Sequence, residues 1–201
     1  MVIGAGCTQS GNTNFPTPAS PSSPALTPSP GLLALTAADA PVNYTIAESR
    51  MKTSAEVGTL AKDLGWQGGY IVKFSSQPGT GQGPTEIIQN IVTYPVAALP
   101  QIMQVAEASE KADAGMVFTS LPAPGLGESG LAFSGKANTQ AAVQQNTNPL
   151  VPETASVSVK QDMVEIIFIK GSPMEVLRMN GPGADYAILR GFAETAYAKI
   201  P

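Results

Sequence analysis

Ser49-Arg50-Met51-Lys52 sets a serine three residues ahead of a lysine, the spacing with which a lysine can activate a serine nucleophile. Gly127-Glu128-Ser129-Gly130 approaches the strained turn that exposes a nucleophilic serine, but its closing glycine falls one residue early. The chain has no histidine, so neither serine has the usual general base, and a serine hydrolase would have to use a Ser-Lys pair. Lys170-Gly171-Ser172 is not the Lys-Thr-Gly companion such a pair needs, and chance spacing is the reading taken for both serines. Carboxylates offer a second chemistry, since two suffice for glycoside hydrolysis. Asp162, Glu165 and Glu175 fall on one terminal hairpin, with Glu128 and Lys136 as further candidates, but no spacing singles out a pair and a solvated sheet face is expected. No catalytic residue is assigned.

Metal and nucleotide chemistry fare no better. One cysteine and no histidine leave only hard cations or organic ligands, and no Asp-x-Asp-x-Asp-Gly loop occurs, so no metal site or cofactor is expected. Gly79-Thr80-Gly81-Gln82-Gly83 lacks both the Lys-Ser/Thr of a phosphate loop and a helix after it, and reads as a hairpin loop. The aromatic residues Trp66, Tyr70 and Tyr94 flank the glycines and strands of one hairpin. If the domain has a ligand groove, Trp66-Gln67-Gly68-Gly69-Tyr70 is the expected place.

The elements that would position these groups follow from periodicity. Tyr44 to Ser49 reads as a strand. Thr53 and Glu56 form a capping box ahead of Val57, Leu60, Ala61 and Leu64 at helical spacing, with Gly65 as the stop. Tyr70 to Phe74 and Glu86 to Tyr94 make a hairpin around Pro78 to Pro84. A helix starts around Pro100 and ends near Lys111, and Met116 to Phe118 and Gly130 to Ser134 are short strands. Asn138 to Pro149 reads as loop. Ser156 to Val159, Met163 to Ile169 and Met174 to Met179 read as strands joined by tight turns. A last helix, Ala184 to Lys199, is expected to bury Ile188, Leu189, Phe192 and Ala196. Strands joined by short turns pair antiparallel, and helices with one apolar stripe must cover them. The expected class is α+β, a mainly antiparallel sheet covered by about three helices.

Composition divides the 201 residues. Charged residues make up only 13%, Gly and Pro number 20 and 18, and the net charge is −4. No basic stripe supports nucleic-acid binding. No charged residue precedes Asp39, and Pro16, Pro18, Pro21, Pro24, Pro28 and Pro30 alternate with Ser, Thr, Ala and Asn. Such a stretch cannot bury enough apolar surface to offset its ordering entropy, so residues 8–31 are expected to form an extended tether and residues 32–201 one α+β domain. Asn43-Tyr44-Thr45 is a glycosylation sequon.

Met1-Val2-Ile3-Gly4-Ala5-Gly6-Cys7 resembles the end of a lipoprotein signal peptide, with small residues before a cysteine that takes the lipid and becomes the new N-terminus. Gly4 stands where that pattern has a large aliphatic residue, and Ile3 lies one position further out. The charged and apolar regions of a full signal are missing, so residues 1–7 are expected to be its remnant. Leu64-Gly65-Trp66-Gln67-Gly68-Gly69-Tyr70 after a capped helix, and Val164-Glu165-Ile166-Ile167-Phe168-Ile169-Lys170-Gly171 before a strand and closing helix, resemble the Mog1/PsbP-like fold found in prokaryotic surface lipoproteins. The resemblance implies a non-enzymatic accessory domain, held outside the cytoplasm on the membrane by its lipid, with an envelope protein as partner. It assigns no site residue. An envelope hydrolase using carboxylates or Ser/Lys, and a solute- or Ca-binding module, are the alternatives.

Overall fold

All seven residues of Met163–Ile169 are buried, on both faces of the strand they form. A run that is apolar except for Glu165 needs cover on both sides, and this strand lies inside a sheet that carries helices on each face. The computed structural model describes residues 28–76, 85–112, 115–137 and 162–201. Among these residues the sheet has seven strands: β1 (Tyr44–Met51), β2 (Gly68–Ser76), β3 (Glu86–Thr93), β4 (Met116–Ser120), β5 (Ser129–Ala137), β6 (Met163–Ile169) and β7 (Pro173–Asn180). Their order is β1-β2-β3-β7-β6-β5-β4, and every neighbouring pair is antiparallel. The described helices are α1 (Thr59–Asp63), α2 (Leu99–Ala112) and α3 (Tyr186–Lys199). This is the α+β class that the pattern implied. The expected loops at Pro78 to Pro84 and Asn138 to Pro149, the expected strand at Ser156 to Val159, and Cys7 lie outside the described residues.

Two antiparallel meanders, β1 to β3 and β4 to β7, are joined by the pairing of β3 with β7, which runs from Thr93 opposite Pro173 to Glu86 opposite Asn180. The outer strands are guarded in different ways. A register shift between Ile46 and Glu48, with Glu48 bound to Arg50 and Lys73, interrupts the free edge of β1. β4 is only five residues long. Both devices discourage edge-to-edge association.

Alternation along the strands produces two cores. On one face Val72, Phe74, Ile87, Ile91, Ile166, Phe168, Leu177 and Met179 pack under Leu189, Phe192, Ala193 and Ala196 of α3. An N-terminal arm, residues 30–40, covers the rest of this face. Its Leu33 and Leu35 are buried, each contributing roughly 1.5–3 kcal/mol by removal from water. Asp39 accepts hydrogen bonds from Thr36 and an ion pair from Lys199 at 2.9 Å, which fastens the arm to the end of α3. On the other face Val92, Tyr94, Phe133, Ile167, Ile169 and Met174 pack with Leu99, Ile102 and Met103, the last three from α2.

Two local expectations need correction. The Thr53 capping box forms, with Glu56 Oε2 accepting from Thr53 N at 2.8 Å, but it caps a single 3-10 turn, Ser54–Glu56. Val57 returns to extended backbone, and a short helix restarts after Gly58 and ends ahead of Gly65, whose φ is +85°. In α3, Ile188 is 46% exposed and Ala193 is buried in its place. Each residue turns the helix by about 100°, so a stripe centred on Leu189, Phe192 and Ala196 leaves Ile188 beyond its margin.

Candidate functional site

Glu175 sits mid-sheet on β7, on the face beneath α3 and the arm, and is 0% exposed. Its phase is that of Leu177 and Met179, so strand alternation alone drives the carboxyl into the core. Glu175 Oε2 accepts from Gln89 Nε2 at 2.8 Å, and Gln89 Oε1 accepts from the backbone N–H of Leu35 at 2.7 Å. Among the described residues Glu175 Oε1 is buried with no hydrogen-bond partner. Burial raises its pKa to about 7, against the opposing pull of the Gln89 hydrogen bond and the charge of Lys199. Two β-strand side chains thus hold the arm down, and one of them changes charge near neutral pH.

The other face carries Glu165, also buried, whose Oε2 accepts from Arg178 Nε at 2.6 Å. These two residues stand directly opposite on β6 and β7. The expected solvated sheet face is therefore wrong for Glu165 and Glu175. They are buried, and alternation sends them to opposite sides of the sheet. Asp162 and Lys136 lie at one end of the sheet, one step past the Gly135–Met163 pair, and Glu128 is exposed in the turn at the other end, so the five candidate polar groups do not converge on one site. Ser49 Oγ lies 3.0 Å from the Tyr70 hydroxyl, whereas Lys52 Nζ donates to Asn90 Oδ1 at 3.3 Å on the other face. Burial lowers the Lys52 pKa. Among the described residues no group of three acidic or cysteine side chains converges on a metal position.

The three aromatic residues marked for a groove are divided by the sheet. Trp66 and Tyr94 join the core under α2, while Tyr70 packs into the opposite core, against the arm at Gly31. They do not line one groove, because Tyr70 lies in β2 with its side chain in phase with Val72 and Phe74. Trp66 Nε1 is buried without a partner among the described residues, and Tyr94 is buried, which raises its hydroxyl pKa. Asn43 is exposed in the turn leading into β1.

A groove of about 390 Å³ does exist, close to Tyr94. Val96, Leu99, Pro100 and Met103 form one wall, Ile169 the floor, and Glu128 with Ser129 the far rim. Its volume is at the low end of the roughly 300–1,000 Å³ of small-ligand pockets. The first wall exists because Pro95 and Pro100 bracket a 3-10 turn, Val96–Ala98, that swings an apolar helix start over the sheet end. The rim is fixed by Gly127, whose φ is +69°; a Cβ there would come within 1.9 Å of the Ile169 carbonyl oxygen. That contact lets Glu128 N donate to Ile169 O at 2.9 Å, and Glu128 Oε1 accepts from Gly171 N at 3.1 Å. Ser172 Oγ donates to the Tyr94 carbonyl at 3.2 Å and closes the corner. The lining suits an apolar ligand with a polar end near Glu128 and Ser129. Sequence reasoning missed this groove, although an apolar Pro-Val-Ala-Ala-Leu-Pro segment at a helix start was its available signal. No family model, curated protein or solved structure matches this chain.

Proposed function

We propose that the chain is an extracytoplasmic lipoprotein, held on the membrane through a lipid on Cys7, whose α+β domain is a non-catalytic binding or accessory module. The observation that carries the reading is the order of parts along the chain. A cysteine preceded by small residues comes first, then a Pro-rich stretch without a charge, then a domain whose first turn, Pro30–Leu32, is packed on the sheet. Support for binding comes from the apolar groove between α2 and the Glu128 rim. Further support comes from the employment of the chemically capable groups in architecture: Glu175 with Gln89 and the arm, Glu165 with Arg178, Asp39 with Lys199. The finer fold proposed is a Mog1/PsbP-like sandwich, supported by one antiparallel sheet between helices and a closing helix after the terminal hairpin.

Fractionation of cells expressing the full precursor tests the reading. Wild-type protein is expected in the membrane fraction, extractable by detergent but not by salt, and Cys7→Ser is expected in the soluble extracytoplasmic fraction. Retention of the serine variant on the membrane would contradict an anchor at Cys7.

A further inference from the structure

Of the eight large apolar side chains exposed among the described residues, Leu32, Met51, Leu60 and Val96 lie at the end of the molecule that carries the groove, and Val42, Ile46, Val117 and Ile188 lie toward the other. The topology brings the first four to the groove end. At this end β1 and β3 finish and β2 and β7 begin, so Met51 ends β1, Leu60 lies in the connection to β2, and Val96 follows β3. Leu32 joins them because the Pro30–Leu32 turn packs on Gly68 and Tyr70 at the start of β2. The groove opens at the same end and shares Val96. Clustered exposed apolar groups rimmed by polar ones mark contact surfaces.

We infer that this end of the domain rests against the surface of a lipid bilayer, with the groove facing the lipid and taking an acyl chain. The inference rests on the proposed anchoring at Cys7. What selects a bilayer over another cover is where the remaining chain joins. The described residues begin at Pro28, two residues before the turn on Gly68, so the root of the segment leading back to Cys7 lies at this end. Those 20 intervening residues reach at most about 70 Å. The opposite end of the sheet is further from the root by the length of an eight-residue strand, about 26 Å. Lipid attached at Cys7 therefore presents this end to the membrane at the least stretching of the connecting chain. Charge agrees with an apolar contact: Arg50, Lys52, Lys62 and Lys170 are balanced toward this end by Glu48, Glu56, Asp63 and Glu128, with Arg50 paired to both Glu48 and Glu56. Contact of this kind neither needs anionic headgroups nor weakens in salt.

The chain has one cysteine, so protein made without export, with the Cys7 thiol free, can be coupled through that residue to maleimide-bearing phosphatidylcholine vesicles. Tryptophan is introduced by Leu60→Trp or Val96→Trp at this end and by Val42→Trp before β1 at the opposite end, all at exposed positions that leave the cores untouched. With brominated acyl chains, quenching of the added fluorescence is expected to be at least about twofold greater for the first two, and unchanged in about 0.5 M salt, where charge contacts are screened. Equal quenching at all three positions, or none, overturns the inference. So does a dimer in solution that shields positions 60 and 96, since a second copy would then be the cover. Unacylated Cys7 in cells together with preferential quenching in the coupled protein would overturn the anchor and leave the bilayer-facing end standing.

Discussion

Replacing Glu175 with glutamine should abolish a specific dependence of stability on pH. The folded protein holds this proton up to a pH of about 7, because burial disfavours the charged carboxylate, while the unfolded chain releases it near 4.5. Between those values the folded state binds one more proton than the unfolded state, so stability falls as pH rises, by about 1.4 kcal/mol per pH unit. The stabilising contribution is complete below about pH 4.5 and lost just above 7, a total of about 3 kcal/mol. Glu56 acts in the opposite direction. Its hydrogen bonds from Arg50 and Thr53 lower its pKa to about 2, so its contribution disappears as pH falls below about 4.5. Comparing variant with wild type cancels that effect. Urea unfolding followed by circular dichroism at pH 5 and pH 8 is the assay. Glu175→Gln should gain about 3 kcal/mol relative to wild type between the two conditions, or roughly 6–12 °C in Tm. An identical difference at both pH values would refute the assignment of the titration to Glu175.

Other substitutions separate the remaining claims. Gly127→Ala should cost at least about 2 kcal/mol through positive φ and collision with the Ile169 carbonyl. Gly191→Ala, in α3 with nothing near its Cβ position, should stabilise by about 0.5–1 kcal/mol; thermal melts give both signs. Asp185→Ala removes the carboxylate that accepts from Ile188 N at 2.9 Å and should cost about 1 kcal/mol in urea unfolding. Val96→Asp places a charge on the groove wall, and fluorescence titration with a pyrene-labelled fatty acid should show about tenfold weaker binding, or 1.4 kcal/mol, with an unchanged melt.

Local signals in the sequence were strong and long-range ones were weak. Apolar runs bounded by turn residues located the strands β1 to β7, but the burial of β6 on both faces went unread because Glu165 was expected on a solvated face. Nothing local could announce that β3 pairs with β7, because that pairing joins residues 80 to 94 positions apart and no turn links them. Glu165 and Glu175 were read as a wet face because carboxylates are rarely buried. Their burial follows only once the pairing of β3 with β7 puts Gln89 beside one and the hairpin puts Arg178 beside the other. Trp66, Tyr70 and Tyr94 are neighbours in sequence and across the first hairpin, but proximity along a strand says nothing of face until the register is known. Gly127 looked like a fragment of a nucleophile elbow. Its positive φ and close approach to Ile169 give it an architectural reason instead.

The central claim is an anchored binding domain, and the mass of the protein extracted from membranes tests it most directly. Expression of the complete precursor in a bacterial host, detergent extraction and intact mass spectrometry should yield a chain that begins at Cys7 and carries an acyl adduct on that residue. Cys7→Ser should yield no adduct and no membrane-extracted species. A wild-type chain with an unmodified Cys7 in the soluble fraction would contradict the account.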